Sequence, residues 1–109
     1  MPVDATPETY NSLVEEGVVL VDFWGPRCQP CFALMPAMEA LEESYAGRLN
    51  LVKVNSVENR SVCRDLGVMG LPTYILYRDG EEIERITGDP KREEIADAVS
   101  RLLDGGGGE

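Results

Sequence analysis

Val18-Val19-Leu20-Val21-Asp22-Phe23-Trp24 runs directly into Gly25-Pro26-Arg27-Cys28-Gln29-Pro30-Cys31. The first half is short, β-branched and apolar apart from one carboxylate. Such a run reads as a strand buried on both faces, at the centre of a partly parallel sheet. The second half opens on Gly-Pro, a turn signal, and then enters a segment where Phe32, Met35, Met38, Leu41 and Tyr45 keep helical spacing. A helix is expected from about Cys28 to Ala46, with Pro36 kinking it.

On the N-terminal side, Thr6-Pro7-Glu8 predicts a helix start, with Thr6 as N-cap, Pro7 at the first helical position, and Tyr10, Leu13 and Val14 on one face. On the C-terminal side, Leu49 to Asn55 reads as a strand and Glu58 to Leu66 as a short helix ended by Gly67. After the Gly70-Leu71-Pro72 loop, Thr73 to Tyr77 is a strand rich in β-formers. Asp79-Gly80 signals a hairpin, and Glu81 to Thr87 returns with Ile83 alternating against charges. Asp89-Pro90 is expected to cap and open a last helix whose Ile95, Val99, Leu102 and Leu103 face inward. The order is α-β-α-β-α-β-β-α. It implies an α/β fold with a central mixed sheet, parallel in its first part and antiparallel in its terminal hairpin. Residues 1–104 read as one domain, and residues 105–109, with Gly105 to Gly108, as a flexible tail.

Composition narrows the chemistry. The 109 residues include 10 Lys+Arg and 20 Asp+Glu, a formal net charge of -10, with no histidine and three cysteines. A chain this acidic is a poor generic nucleic-acid binder, because phosphate backbones demand a basic patch. Without histidine there is no Ser-His-Asp or Cys-His catalysis and no His-ligated zinc or haem. No apolar run approaches the roughly 20 residues of a membrane helix. The segment Met1 to Thr6 shows no signal-peptide pattern, so an intracellular location is expected. Three cysteines are too few for a disulfide-stapled scaffold.

Cys28-Gln29-Pro30-Cys31 carries the strongest signal. Residues i and i+3 of a helix face the same way, with Cβ atoms about 5–6 Å apart, close enough for a disulfide after slight tightening. At a helix start, Cys28 meets unpaired N–H groups and the positive end of the helix dipole, both of which favour thiolate. Cys31, one turn in, is more sheltered and keeps its proton. An exposed nucleophile beside a resolving thiol is what disulfide exchange needs. The alternative is half of a zinc or iron–sulfur site, which lacks a second ligand pair because only Cys63 remains. Cys63 itself has the spacing of a small core residue.

Asp22, a lone carboxylate in an apolar strand, is expected to be desolvated with a raised pKa, which suits a general base for Cys31. The bland alternative is a strand-end Asp reaching solvent. Lys53, in Leu51-Val52-Lys53-Val54-Asn55, either pairs with Asp22 across neighbouring strands or sits at an exposed edge. Leu71-Pro72 is trans by default, although a cis bond costs X-Pro only about 0.5–1 kcal/mol.

Taken in order, Val21-Asp22-Phe23-Trp24, the Cys-x-Pro-Cys turn, Pro36, Lys53, Gly70-Leu71-Pro72-Thr73 and Gly88 resemble the thioredoxin family from about residue 7 to residue 103. The resemblance implies a thioredoxin fold, the sheet flanked by helices on both faces. It makes Cys28 the attacking thiolate, Cys31 the resolving thiol and Asp22 the buried base, with Lys53 as its ionic neighbour. It places Trp24 beside the active-site turn and Pro72, in cis, facing the cysteines. Substrate would meet Arg27, Gln29, Pro30 and an apolar rim of Gly70, Leu71 and Gly88, with the Leu71 backbone pairing to an extended substrate segment. The implied protein is a cytoplasmic monomeric disulfide reductase whose redox group is its own Cys28–Cys31 disulfide, with no separate cofactor and no metal. Disulfide-containing proteins are its substrates. A separate reductase is its electron donor, because no flavin or nicotinamide motif is present. The rival readings are a non-catalytic binding module of the same fold, an oxidant or isomerase, and a thiolate metal site. The chain departs from the family in having Arg27 where a Trp usually precedes the first Cys, and Gln29-Pro30 where Gly-Pro is usual. Arg27 is expected to favour the Cys28 thiolate and make the couple more oxidising, or else to select acidic partner surfaces.

Overall fold

A computed structural model describes residues 1–105, so the tail expected at 105–109 lies, past Gly105, outside the described residues. Among the described residues the elements are β1 (Val3–Asp4), α1 (Tyr10–Val14), β2 (Val18–Trp24), α2 (Gln29–Ser44), β3 (Leu49–Asn55), α3 (Arg60–Leu66), β4 (Thr73–Arg78), β5 (Glu81–Ile86) and α4 (Arg92–Leu103). They form one sheet in the order β1-β3-β2-β4-β5. The apolar strand β2 is the middle one, parallel to β3 and antiparallel to β4, and β1 and β5 close the two edges. The expected mixed α/β sheet is therefore observed.

Strand alternation explains why β2 carries so few polar residues. Val19, Val21 and Phe23 enter a core shared with Tyr10 and Val14 of α1 and Cys63 of α3. Val18 and Leu20, with Asp22 in the same phase, face the opposite core, shared with Met38 of α2 and Ile95, Ala98 and Val99 of α4. Helices thus cover both faces, and a strand between two cores has no polar side to show.

Several local expectations shift. Continuous α-helix begins at Tyr10, because Thr6 and Thr9 first cap one another: Thr9 N donates to Thr6 Oγ1 at 3.2 Å and Thr6 N to Thr9 Oγ1 at 2.9 Å. The last helix begins at Arg92, later than Pro90 implied, with the Lys91 N–H donating to Glu94 Oε1 at 3.4 Å. Strand β1, which the sequence reading left out, is two residues long and is held by parallel pairing of Val3 to Val52 and Asp4 to Lys53. A two-residue strand has no periodicity to detect. Asp79 and Gly80 both have positive φ, 50° and 84°, as a two-residue type I′ hairpin requires. The turn is anchored on Gly17, whose N donates to Asp79 Oδ1 at 2.8 Å.

Ile83 does not alternate inward. Leu76 pairs with Glu84 and Tyr77 with Glu82, so Ile83 is the extra residue of a bulge and is 43% exposed. In α2, Phe32 is exposed and Glu42 is buried. Glu42 is drawn in because β1 is too short to cover β3: its Oε2 accepts the Leu51 N–H at 2.8 Å, at a position the ladder leaves open.

Candidate active site

The turn after β2 is closed by Cys28 N donating to the Gly25 carbonyl at 3.1 Å, and Ser56 N donates to the Trp24 carbonyl at 2.8 Å. A Cβ on Gly25 would lie 3.0 Å from Leu71 Cδ1 and 3.3 Å from Ser56 Oγ. Glycine is required there because the loops after β3 and before β4 close on the cysteine turn. Cys28 is the N-cap of α2, in extended conformation, and its Sγ accepts the Cys31 N–H at 3.2 Å. Pro30 sits in the first turn, where no N–H is needed. Cys28 and Cys31 are joined by a disulfide with Cα atoms 5.3 Å apart. Cys28 is half-buried while Cys31 has no exposure, which is the asymmetry expected from their places in the helix.

The Leu71–Pro72 bond is cis, as the resemblance implied and against the compositional default. Thr73 fastens this loop: its Oγ1 donates to the Gly70 carbonyl at 2.7 Å and meets the Thr87 hydroxyl at 3.1 Å. A depression of about 300 Å³ lies beside Cys28, lined by Gly25, Pro26, Arg27, Cys28, Ser56, Val57 and Leu71. Arg27, Gln29 and Pro30 are exposed around the turn. Of the expected rim, only Leu71 lines the depression; Gly70 and Gly88 are exposed but outside it. Ser56 and Val57 escaped the sequence reading. The available signal was their position just after the C-terminal end of a strand parallel to β2, where open α/β sheets place their sites. Trp24 packs on Phe32, the residue after Cys31, with ring centroids 5.9 Å apart.

Asp22 is fully buried, in the layer beneath α2, and neither carboxylate oxygen has a hydrogen-bond partner. Burial pushes its pKa up to about 7; the Lys53 charge opposes the rise and Glu39 adds to it. Lys53 stands directly across from Asp22 in the β2–β3 register, but the expected direct ion pair does not form. Its Nζ lies instead 3.7 Å from Glu39 Oε2 on α2. Glu39 is half-exposed, so this choice keeps the ammonium near water, whereas reaching Asp22 would bury it.

Cys63 is free and buried in the core on the other face of the sheet, and burial pushes its thiol pKa up. Among the described residues no three His, Cys, Asp or Glu side chains cluster as a metal would need. No described helix is long and apolar enough to cross a membrane.

The family model named Thioredoxin matches residues 2–101. The chain is 36% identical over 101 residues to the thioredoxin of Bacillus subtilis, covering 93% of this chain and 97% of that one. It is 34% identical to the thioredoxin of Staphylococcus saprophyticus with the same coverage of 93% and 97%. A solved structure of a mutant thioredoxin from Halobacterium salinarum NRC-1 superposes with a TM-score of 0.83 at 29% identity, over 94% of this chain and 90% of that one. These matches span the strand that carries Asp22, the cysteine turn and the cis-proline loop together. The chemistry they attach to the Cys28–Cys31 disulfide is dithiol–disulfide exchange, with the protein's own cysteines as the redox group. The chain belongs to the thioredoxin family of protein-disulfide oxidoreductases.

Proposed function

We propose that this protein works in the reducing direction, as a cytoplasmic, monomeric, single-domain carrier that takes electrons from a separate thioredoxin-reductase-type donor to disulfide-containing proteins. The observation that carries the exchange chemistry is the unequal burial of the two sulfurs around one helix start, and the likeness to thioredoxins supports the reducing direction. Reduced Cys28 faces outward, and the Cys31 N–H that reaches its Sγ favours its thiolate. That thiolate attacks one sulfur of the substrate disulfide and expels the other as a thiolate, leaving a mixed disulfide on Cys28. Cys31 then gives its proton to Asp22 and attacks Cys28 Sγ. The second substrate sulfur leaves, and the Cys28–Cys31 disulfide forms. The substrate gains two electrons and the cysteine pair loses two, which the reductase restores.

A carboxyl held near pH 7 suits Asp22 to this part, since it is ionised often enough to accept a proton and protonated often enough to return one. Lys53 supports it electrostatically. Trp24 holds the turn from one side, and Pro72 holds the loop opposite the cysteines. Arg27, Gln29, Pro30, Gly70, Leu71 and Gly88 meet the substrate, whose extended segment pairs with the Leu71 backbone.

A Cys31→Ser variant tests the sequence of steps. It is expected to accumulate mixed disulfides through Cys28 in a lysate, while the unmodified protein accelerates insulin reduction by dithiothreitol. No trapped species, alongside efficient trapping by a control thioredoxin, overturns the mechanism. No acceleration over dithiothreitol alone favours a binding module.

A further inference from the structure

Tyr74 on β4 stands directly opposite Asp22 on β2 in the antiparallel register. Opposed residues of such a pair share one face of the sheet, with Cβ atoms about 4.5–5.5 Å apart. The surroundings on that face are apolar: Leu20, Leu76, Met38, Ile95 and Val99 belong to the same core as Tyr74. Tyr74 is 1% exposed, yet its hydroxyl has no partner, and both oxygens of Asp22 also lack one. A phenylalanine would fill the same space without a buried, unpaired hydroxyl. Two orphaned polar groups on facing rungs of one apolar layer are complementary, since a phenol donates and a carboxylate accepts, yet no direct hydrogen bond joins them. Burial and the Asp22 charge both push the ionisation of Tyr74 up, so it remains a neutral donor throughout the working range.

The other titratable groups facing Asp22 are few. Lys53 approaches from β3 but is engaged by Glu39 of α2. Cys31 lies in the first turn of α2, while α4 presents Ile95, Ala98 and Val99, none of which titrates.

We propose that Tyr74 is a positioning residue for the exchange reaction, its hydroxyl donating to the Asp22 carboxylate across one bridging water. The hydroxyl stabilises the ionised carboxylate in a site that otherwise disfavours it. It thereby keeps Asp22 able to accept the Cys31 proton at neutral pH. The kinetic part of this inference rests on Asp22 being the base; the water-bridged link between the two side chains does not.

The test is a carbon-13 NMR titration of the Asp22 carboxyl in the oxidised protein and in its Tyr74→Phe variant, where no cysteine titrates beside it. Loss of one hydrogen bond to a charged group is expected to move the Asp22 midpoint upward by about one pH unit. An unmoved midpoint, or a downward shift, overturns the proposal. The rate at which a preformed mixed disulfide on Cys28 is resolved is then followed against pH in the unmodified protein, in Tyr74→Phe and in Asp22→Asn. The Tyr74→Phe profile is expected to shift with the carboxyl, and an unshifted profile overturns the positioning role. Resolution as fast in Asp22→Asn as in the unmodified protein sinks the base reading instead, and with it that role, while the titration still decides the contact.

Discussion

Replacing Asp22 with Asn will shift the stability of the oxidised protein, relative to the unmodified chain, in favour of the variant as pH rises. The carboxyl ionises near 3.8 in an unfolded chain and at about 7 in the folded one, because burial takes it out of bulk water and no protein group bonds it directly. Below the lower value both states are protonated, and the residue costs nothing in charge. Between the two values the unfolded chain has lost the proton and the folded chain still holds it, so stability falls as pH rises. Above the upper value both states are ionised and the loss is complete. The window spans about three pH units at 1.36 kcal/mol each, or about 4 kcal/mol. Asn keeps the shape and cannot ionise. Its buried amide adds a cost, but the same cost at every pH. Urea unfolding of both proteins at intervals from about pH 4 to about pH 8 gives a difference curve in which every uncoupled group cancels. The curve is expected to rise in favour of Asp22→Asn by about 4 kcal/mol and to level off near neutrality. A curve flat to within about 1 kcal/mol would falsify the reasoning, because Asp22 would then titrate as an exposed carboxyl does.

Three further outcomes follow from the placement of other polar side chains. Removing the Lys53 charge as Lys53→Gln raises the Asp22 midpoint and removing the Glu39 charge as Glu39→Gln lowers it, read by the same carboxyl titration; shifts of the same sign contradict the electrostatic arrangement. Arg27→Trp lowers the thiolate fraction of Cys28 at neutral pH by a modest amount, since Arg27 is exposed and screened, and an unchanged thiolate absorbance titration removes Arg27 from the redox chemistry. The Tyr10 and Tyr77 hydroxyls meet at 2.8 Å in the core. Tyr10→Phe and Tyr77→Phe each cost about 1–3 kcal/mol by orphaning the other hydroxyl, and the double variant costs less than the two together. Strict additivity in a denaturation cycle would show that the hydroxyls do not depend on one another.

The sequence by itself determined whatever depends on neighbours along the chain. The seven-residue strand β2 announces its burial by having almost no polar residue. The cysteine spacing, the helix start and the Asp79-Gly80 turn are local rules of geometry, and each reappears in the structure at or near its expected residue. Asp22 was legible as a misfit, a charge in an apolar run. Contacts between distant segments were not legible, because no periodicity encodes them. Strand β1 exists only because β3 offers it an edge, and Glu42 is buried only because β1 leaves Leu51 N uncovered. The bulge that exposes Ile83, the packing of Ser56 and Val57 beside Cys28, and the preference of Lys53 for Glu39 over Asp22 are also settled between elements. Composition favoured trans at Leu71–Pro72, and the packed loop adopts cis. The two cysteines could be found from their spacing of three residues, but the pairing of Asp22 with Tyr74 depends on the register of strands more than fifty residues apart, which only the assembled sheet decides.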